Sequence, residues 1–123
     1  MTIRTRAVVD RYVAALADEP ALLSGIVAAE AELETNLGRA EDFLEQARRL
    51  SALAEVRVAH RVDAEDGAVV VYDCVARDGR GAVRVIDYLA VADGRVSGVR
   101  RVYDVVAVGR VLPGLAAGPH RGG

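Results

Sequence analysis

Tryptophan and lysine are absent from this 123-residue chain, and phenylalanine and cysteine occur once each. Without a lysine amine, Schiff-base chemistry on that side chain is closed to it. One Phe and four Tyr make no platform for stacked bases. The net charge is −2 with acids and bases interspersed, so no basic stripe exists to neutralise phosphates. Nucleic-acid binding is therefore not expected. The lone Cys74 lies in a strand-like, Val-rich run and has no second cysteine for an internal disulfide, which fits a reducing compartment. It reads as buried apolar filler. Two His and one Cys offer no metal-ligand spacing, so neither metal nor cofactor is expected. No apolar run approaches the roughly 20 residues that span a bilayer. The opening MTIRTRAVVDRY lacks the apolar segment of a secretion signal. The expectation is a soluble, cytoplasmic protein with no membrane contact.

What is present is a hydrophobic fraction of 52%, enough for one core in a chain of single-domain size. Every one of the 16 basic residues is Arg. With the surplus of Ala, Val and Gly, this is the residue usage of a GC-rich genome.

Residues Thr5 to Leu16 place Val8, Val9, Tyr12, Val13 and Leu16 on one helical face, with Thr5 as the expected N-cap. Asp18-Glu19-Pro20 ends that helix and opens a second, running to about Ala28. From Ala29 the pattern alternates: Ala29, Ala31, Leu33 and Thr35 on one face, Glu30, Glu32 and Glu34 on the other, as in a strand with one wet side. A third helix is expected over Arg39 to Ala54. Four Val-rich strands follow, over Glu55–Val62, Ala68–Arg77, Ala82–Ala92 and Arg95–Val108. Asp66-Gly67 and Asp93-Gly94 between them are strong hairpin signals. Residues from Val111 onward, with Gly or Pro every few positions, read as a flexible tail (111–123) behind a domain over 1–110, and His120 falls within it.

The expected class is α+β, in the order α-α-β-α-β-β-β-β. A meander preceded by helices has to curl around one of them to bury its apolar face. Curling leaves a mouth of the kind that becomes a ligand pocket.

Several polar residues stand on apolar faces. Asp87 is the only polar residue among Val83, Val85, Leu89 and Val91. Two readings stay open: desolvation favours a neutral carboxylic acid that can donate to an oxyanion, or the carboxylate lies at a sheet edge and pairs with an Arg. Tyr12 lies on the buried stripe of the first helix, where core packing is the ordinary role. His60, grouped with Val56, Val58 and Val62, is a candidate general base as well as an ordinary structural histidine. Asp73, grouped with Val69, Val71 and Val75, is a further acid candidate. Glu30, Glu32 and Glu34 form an acidic strand face. Tyr103 and Asp104 fall on opposite faces of the last strand.

AVVDRYVAAL at Ala7 to Leu16 resembles the first helix of steroid Δ5-isomerases, within the nuclear transport factor 2-like superfamily. VIDYLAVADGRVSGVRRVYD at Val85 to Asp104 is similar to the closing hairpin of that superfamily, which includes polyketide cyclases and limonene-epoxide-hydrolase relatives. The resemblance implies a cone-shaped α+β barrel with three N-terminal helices on a curved antiparallel sheet. It implies a cofactor-free isomerase, cyclase or epoxide-opening enzyme for a hydrophobic carbonyl or epoxide, with a place in secondary-metabolite biosynthesis. Tyr12 and Asp87 match the oxyanion-binding pair, the neutral form of the Asp being the working one. The position of the proton-shuttling base falls on Thr35, which cannot do that work, leaving Glu34, His60 or Asp73. Thr35, Phe43, Val85, Leu89 and Tyr103 are expected around the substrate. A homodimer through the sheet is also implied, and a non-catalytic binding or dimerisation module is the alternative.

Overall fold

In the computed structural model, which describes residues 2–117, Thr2 rather than Thr5 caps the first helix, α1 (Ile3–Asp18). Its hydroxyl accepts from the Thr5 amide, so the cap lies three residues earlier than expected. Glu19 ends it, and a 3-10 turn at Pro20–Leu22 leads into the short α2 (Leu23–Ile26). Strand β1 spans Val27–Thr35. A second 3-10 turn at Ala40–Asp42 precedes α3 (Phe43–Leu53), shorter than the helix expected from Arg39. Then come β2 (Ala54–Ala64), β3 (Gly67–Ala76), β4 (Ala82–Ala92) and β5 (Arg95–Tyr103).

Two expectations are corrected at the C-terminal end. The last strand stops at Tyr103, not Val108, because the Asp104 carboxylate accepts from the Ala107 amide and caps α4 (Val105–Val111). The segment after Val111, read as a loose tail, continues into α5 (Pro113–Ala117), with Leu112 and Leu115 buried against the core. His120 lies outside the described residues. No described helix is long and apolar enough to cross a membrane.

The strands form one sheet in the order β1-β5-β4-β3-β2. The meander β2 to β5 is antiparallel, as expected. β1, in contrast, runs parallel to β5, reached only after the whole meander is made. The Asp93-Gly94 turn has positive φ at both residues (54° and 76°), the two-residue hairpin that its sequence signals. Gly67 begins β3 because nothing larger fits: an added Cβ would stand 2.0 Å from the Leu89 carbonyl oxygen.

Residues directly opposite on neighbouring strands share a face, so the ladders sort the sheet into two sides. The inner side carries Tyr72, Cys74, Val83, Val85, Asp87, Leu89, Val99, Arg101 and Tyr103, all buried. Helices α1 and α3 close over it with Val8, Val9, Tyr12, Leu16, Phe43, Ala47 and Leu50. Among the described residues, no helix lies on the outer side.

Candidate functional site

The centre of the inner face is one row of the sheet in which Val70, Asp87, Arg101 and Thr35 stand side by side on β3, β4, β5 and β1. Asp87 and Arg101 are a cross-strand pair with no exposed surface. The guanidinium grips the carboxylate with two bonds, Nε to Oδ1 and Nη2 to Oδ2, both 2.8 Å. Tyr12 reaches down from α1 and donates to Oδ2 at 2.8 Å, while Tyr72 on β3 donates to Oδ1 at 3.1 Å. The Tyr12 hydroxyl in turn accepts from Arg101 Nη2 at 3.1 Å. Phe43, the first residue of α3, lays its ring 4.3 Å from the guanidinium carbon. Beside this cluster Tyr103 donates to Gln46 Oε1 (2.9 Å), and Gln46 Nε2 donates to the Leu37 carbonyl (3.1 Å).

Of the two readings of Asp87, the geometry is that of a carboxylate in an ion pair, set at the middle of the sheet and not at its edge. Both oxygens accept, and two guanidinium N–H groups and two tyrosine hydroxyls supply them. Burial opposes the charge on Arg101, but the Asp87 carboxylate and the surrounding tyrosines more than offset it and hold the guanidinium well above its ordinary range. Burial also pushes Tyr12 and Tyr72 well above 10.0, with the Asp87 charge adding to the rise. The Cys74 thiol, behind the cluster, is raised by burial to about 12, which makes it a poor nucleophile. The remaining guanidinium nitrogen, Arg101 Nη1, is buried without a hydrogen-bond partner of good geometry.

These shifts give the protein an alkaline limit. Each group has a folded value above its unfolded one, so its neutral form is the one that folding favours. That contribution is complete below the ordinary values of 9.0 for Cys74 and 10.0 for Tyr12 and Tyr72. It is lost as pH climbs toward the raised values, about 12 for the thiol. Urea unfolding should give nearly equal stability at about pH 8 and 9 and a steady fall beyond it. Equal stability at pH 8 and 11 would contradict this burial.

The sequence candidates divide by side of the sheet. Tyr12 and Asp87 meet, as do Thr35, Phe43, Val85, Leu89 and Tyr103 around them, but Thr35 turns its hydroxyl to the Leu37 backbone. The three candidate proton carriers stand apart from that cluster. Glu34 is exposed and pairs with Arg100 at 3.3 Å. Asp73 faces outward and takes two bonds from Arg84, at 2.7 and 3.0 Å, and this hydrogen bonding draws its carboxyl below the usual range. His60 is exposed opposite Val71 on the outer side. The reason is a bulge in β2 between Val58 and His60: Val56 stays inside while His60 and Val62 turn out. Among the described residues, no group of His, Cys, Asp or Glu could hold a metal ion.

Arg101 and Tyr72 belong to the cluster and were not singled out from the sequence. Tyr72 shares its alternation with Val70 and Cys74, and that register alone could have pointed to it. Clefts open elsewhere on the molecule. One of about 510 Å³ opens between α1 and α2 beside Ala14, Leu22 and Gly25. Another of about 430 Å³ lies over Gly98 on the outer face, between Tyr88, Arg100 and Glu32.

No family model matches the sequence. No curated protein matches it either. Solved structures do. An NTF2-like protein of unknown function from Mesorhizobium loti superposes with a TM-score of 0.65 at 18% identity, over 82% of this chain and 91% of that one. The fold is nuclear transport factor 2-like. A steroid delta-isomerase from Pseudomonas aeruginosa shares this nuclear transport factor 2-like arrangement at a TM-score of 0.69 and 13% identity, covering 95% and 87% of the two chains. So does a de novo designed protein with a curved β-sheet, at 0.72 and 18%, covering 94% and 97%. The same fold thus accompanies an enzyme name in one neighbour and a designed sequence in another, so activity has to be argued from this chain's own site.

Proposed function

We propose that this chain is an association module of the nuclear transport factor 2-like fold, in which the outer sheet face pairs with a second copy and the inner polar cluster braces the sheet. The observation behind it is an apolar row across four strands, on a face over which none of the described helices lies. His60, Val71, Ile86 and Val102 lie side by side, with Val62, Val69 and Tyr88 in the next row. Val62 is 59% exposed and Tyr88 45%. A contiguous patch of this kind marks an interaction surface.

A second copy is the partner that suits the charges. The arginines bordering the patch already have carboxylates: Arg57 with Glu55, Arg84 with Asp73, Arg100 with Glu34. The face is close to neutral and does not repel itself, as a two-fold interface requires. At ordinary strand spacing and rise it measures about 24 by 31 Å, or roughly 700 Å² before side-chain relief is counted. A standard interface buries roughly 800 Å² per partner. Sedimentation velocity at about 10 μM should find a dimer, and a monomer there overturns the reading.

The isomerase, cyclase or epoxide-opening reading loses support at the oxyanion pair. Tyr12 spends its proton on Asp87, Asp87 is filled by four donors, and both are closed from solvent. One observation favours small-molecule chemistry as a second reading: the buried Nη1 of Arg101, which lacks a hydrogen bond of good geometry, could polarise a carbonyl oxygen. Titrating with a planar phenol as an oxyanion mimic separates the two. Unchanged Tyr12 and Tyr72 ring signals are expected, and saturable shifts in both would restore the enzyme.

A further inference from the structure

The β2 bulge has a specific effect: it moves one histidine from the core side to the outer face. In an unbroken ladder Val58 opposite Tyr72 would be followed by Ala59 opposite Val71, and His60 would point inward at Val70. The extra residue instead sets His60 opposite Val71, at the end of the apolar row. Bulges re-aim side chains in this way.

We infer that His60 makes the association of two copies sensitive to pH, so that protonating it drives them apart. This rests on the face-to-face reading above. An imidazole takes up its proton at about pH 6.5 when free in water. In the monomer His60 is exposed to water. Once a second copy covers the row, the same ring lies among Val71, Ile86 and Val62, where a charge has lost its water.

The charged neighbours do not rescue it. On its own strand the next outward residue toward the N-terminus is Arg57, a like charge, paired with Glu55. On β3 the diagonal neighbour is Asp73, whose two oxygens are both engaged by Arg84 from β4. None of the described helices packs on this side, and Arg57, Glu55, Asp73 and Arg84 are the charges on its own and the adjoining strands, with the Arg100–Glu34 pair farther across the face. One pH unit below the free value, each imidazole costs association about tenfold, and the two-fold axis brings two of them, for about 100-fold in all.

Sedimentation equilibrium of the whole chain from pH 8 to 5.5 tests this, with circular dichroism confirming the fold at each pH. The wild type should be dimeric at pH 8, with a dissociation constant that rises on the order of 100-fold by pH 5.5. His60→Gln should remain dimeric throughout, and His120→Gln should behave as the wild type does. A dimer indifferent to pH overturns the switch and leaves the interface standing. A His60→Gln variant that still responds to pH overturns the assignment to this residue. A monomer at pH 8 overturns the interface itself.

Discussion

Replacing Arg101 by Met should destabilise the chain by about 3–5 kcal/mol, one of the two largest effects the structure calls for. Arg101 and Asp87 are wholly buried, so the substitution leaves a carboxylate in the core with only Tyr12 and Tyr72 to serve it. Met fills much of the vacated stem, so the loss reflects the orphaned charge more than a cavity. Asp87→Asn should cost a similar amount by stranding the guanidinium. Removing both charges is a different matter: Asp87→Leu with Arg101→Met should recover most of the loss, because an apolar pair of like volume replaces a buried ion pair at little cost. Urea midpoints at unchanged slope give all three values. An Arg101→Met variant within about 1 kcal/mol of wild type would mean that the pair is hydrated, and the brace would have to be abandoned.

Ile86→Asp should weaken self-association by at least about 30-fold, or about 2 kcal/mol, while leaving each copy folded. Ile86 stands between Val71 and Val102 at the middle of the outer row and is only partly buried in a single copy. A carboxylate there is hydrated in the monomer and stripped of water in the dimer, twice per complex. Leu22→Asp is the control, since Leu22 is 53% exposed on the helical side of the molecule. Light scattering over a dilution series reads both variants. Equal weakening by Leu22→Asp, or none by Ile86→Asp, would move the interface elsewhere.

Much of this architecture could be read from residue order. The α1 stripe and the Asp93-Gly94 hairpin stand where the pattern puts them, because each depends on local spacing, while β1 begins at Val27, two residues before the expected switch at Ala29, since α2 ends at Ile26. The meeting of Tyr12 with Asp87 was legible only through resemblance, since nothing local links residues 75 positions apart. The partner of Asp87 was hidden by a bulge. Counting back from the Ala92–Arg95 pair along an unbroken ladder puts Arg100 opposite Asp87. The irregularity between Ala90 and Val91 shifts the register by one, and Arg101 arrives in its place. A slip of one residue exchanges the two faces of a strand, which is how Arg100 comes to the surface and Arg101 to the core. His60 was misgrouped with Val56 for the same reason, through the bulge in β2. Asp73 was ambiguous because β3 carries Val on both faces, so alternation gave no direction. The end of β5 depended on a side chain, the Asp104 cap, which outweighs the strand preference of the valines after it.

The parallel pairing of β1 with β5 bears on how the chain comes off the ribosome. The meander assembles from neighbours joined by short turns, each closing soon after it is made. β1 emerges early, yet the strand it adds to is the last of the five to be synthesised. Helix α1 waits as well, since Tyr12 cannot complete its contacts until both Asp87 and Arg101 have emerged. The N-terminal third therefore completes its contacts only when β5 arrives. A chain cut short before Arg95 would lose more than one strand: β1 would have no neighbour, and Asp87 would have no counter-charge.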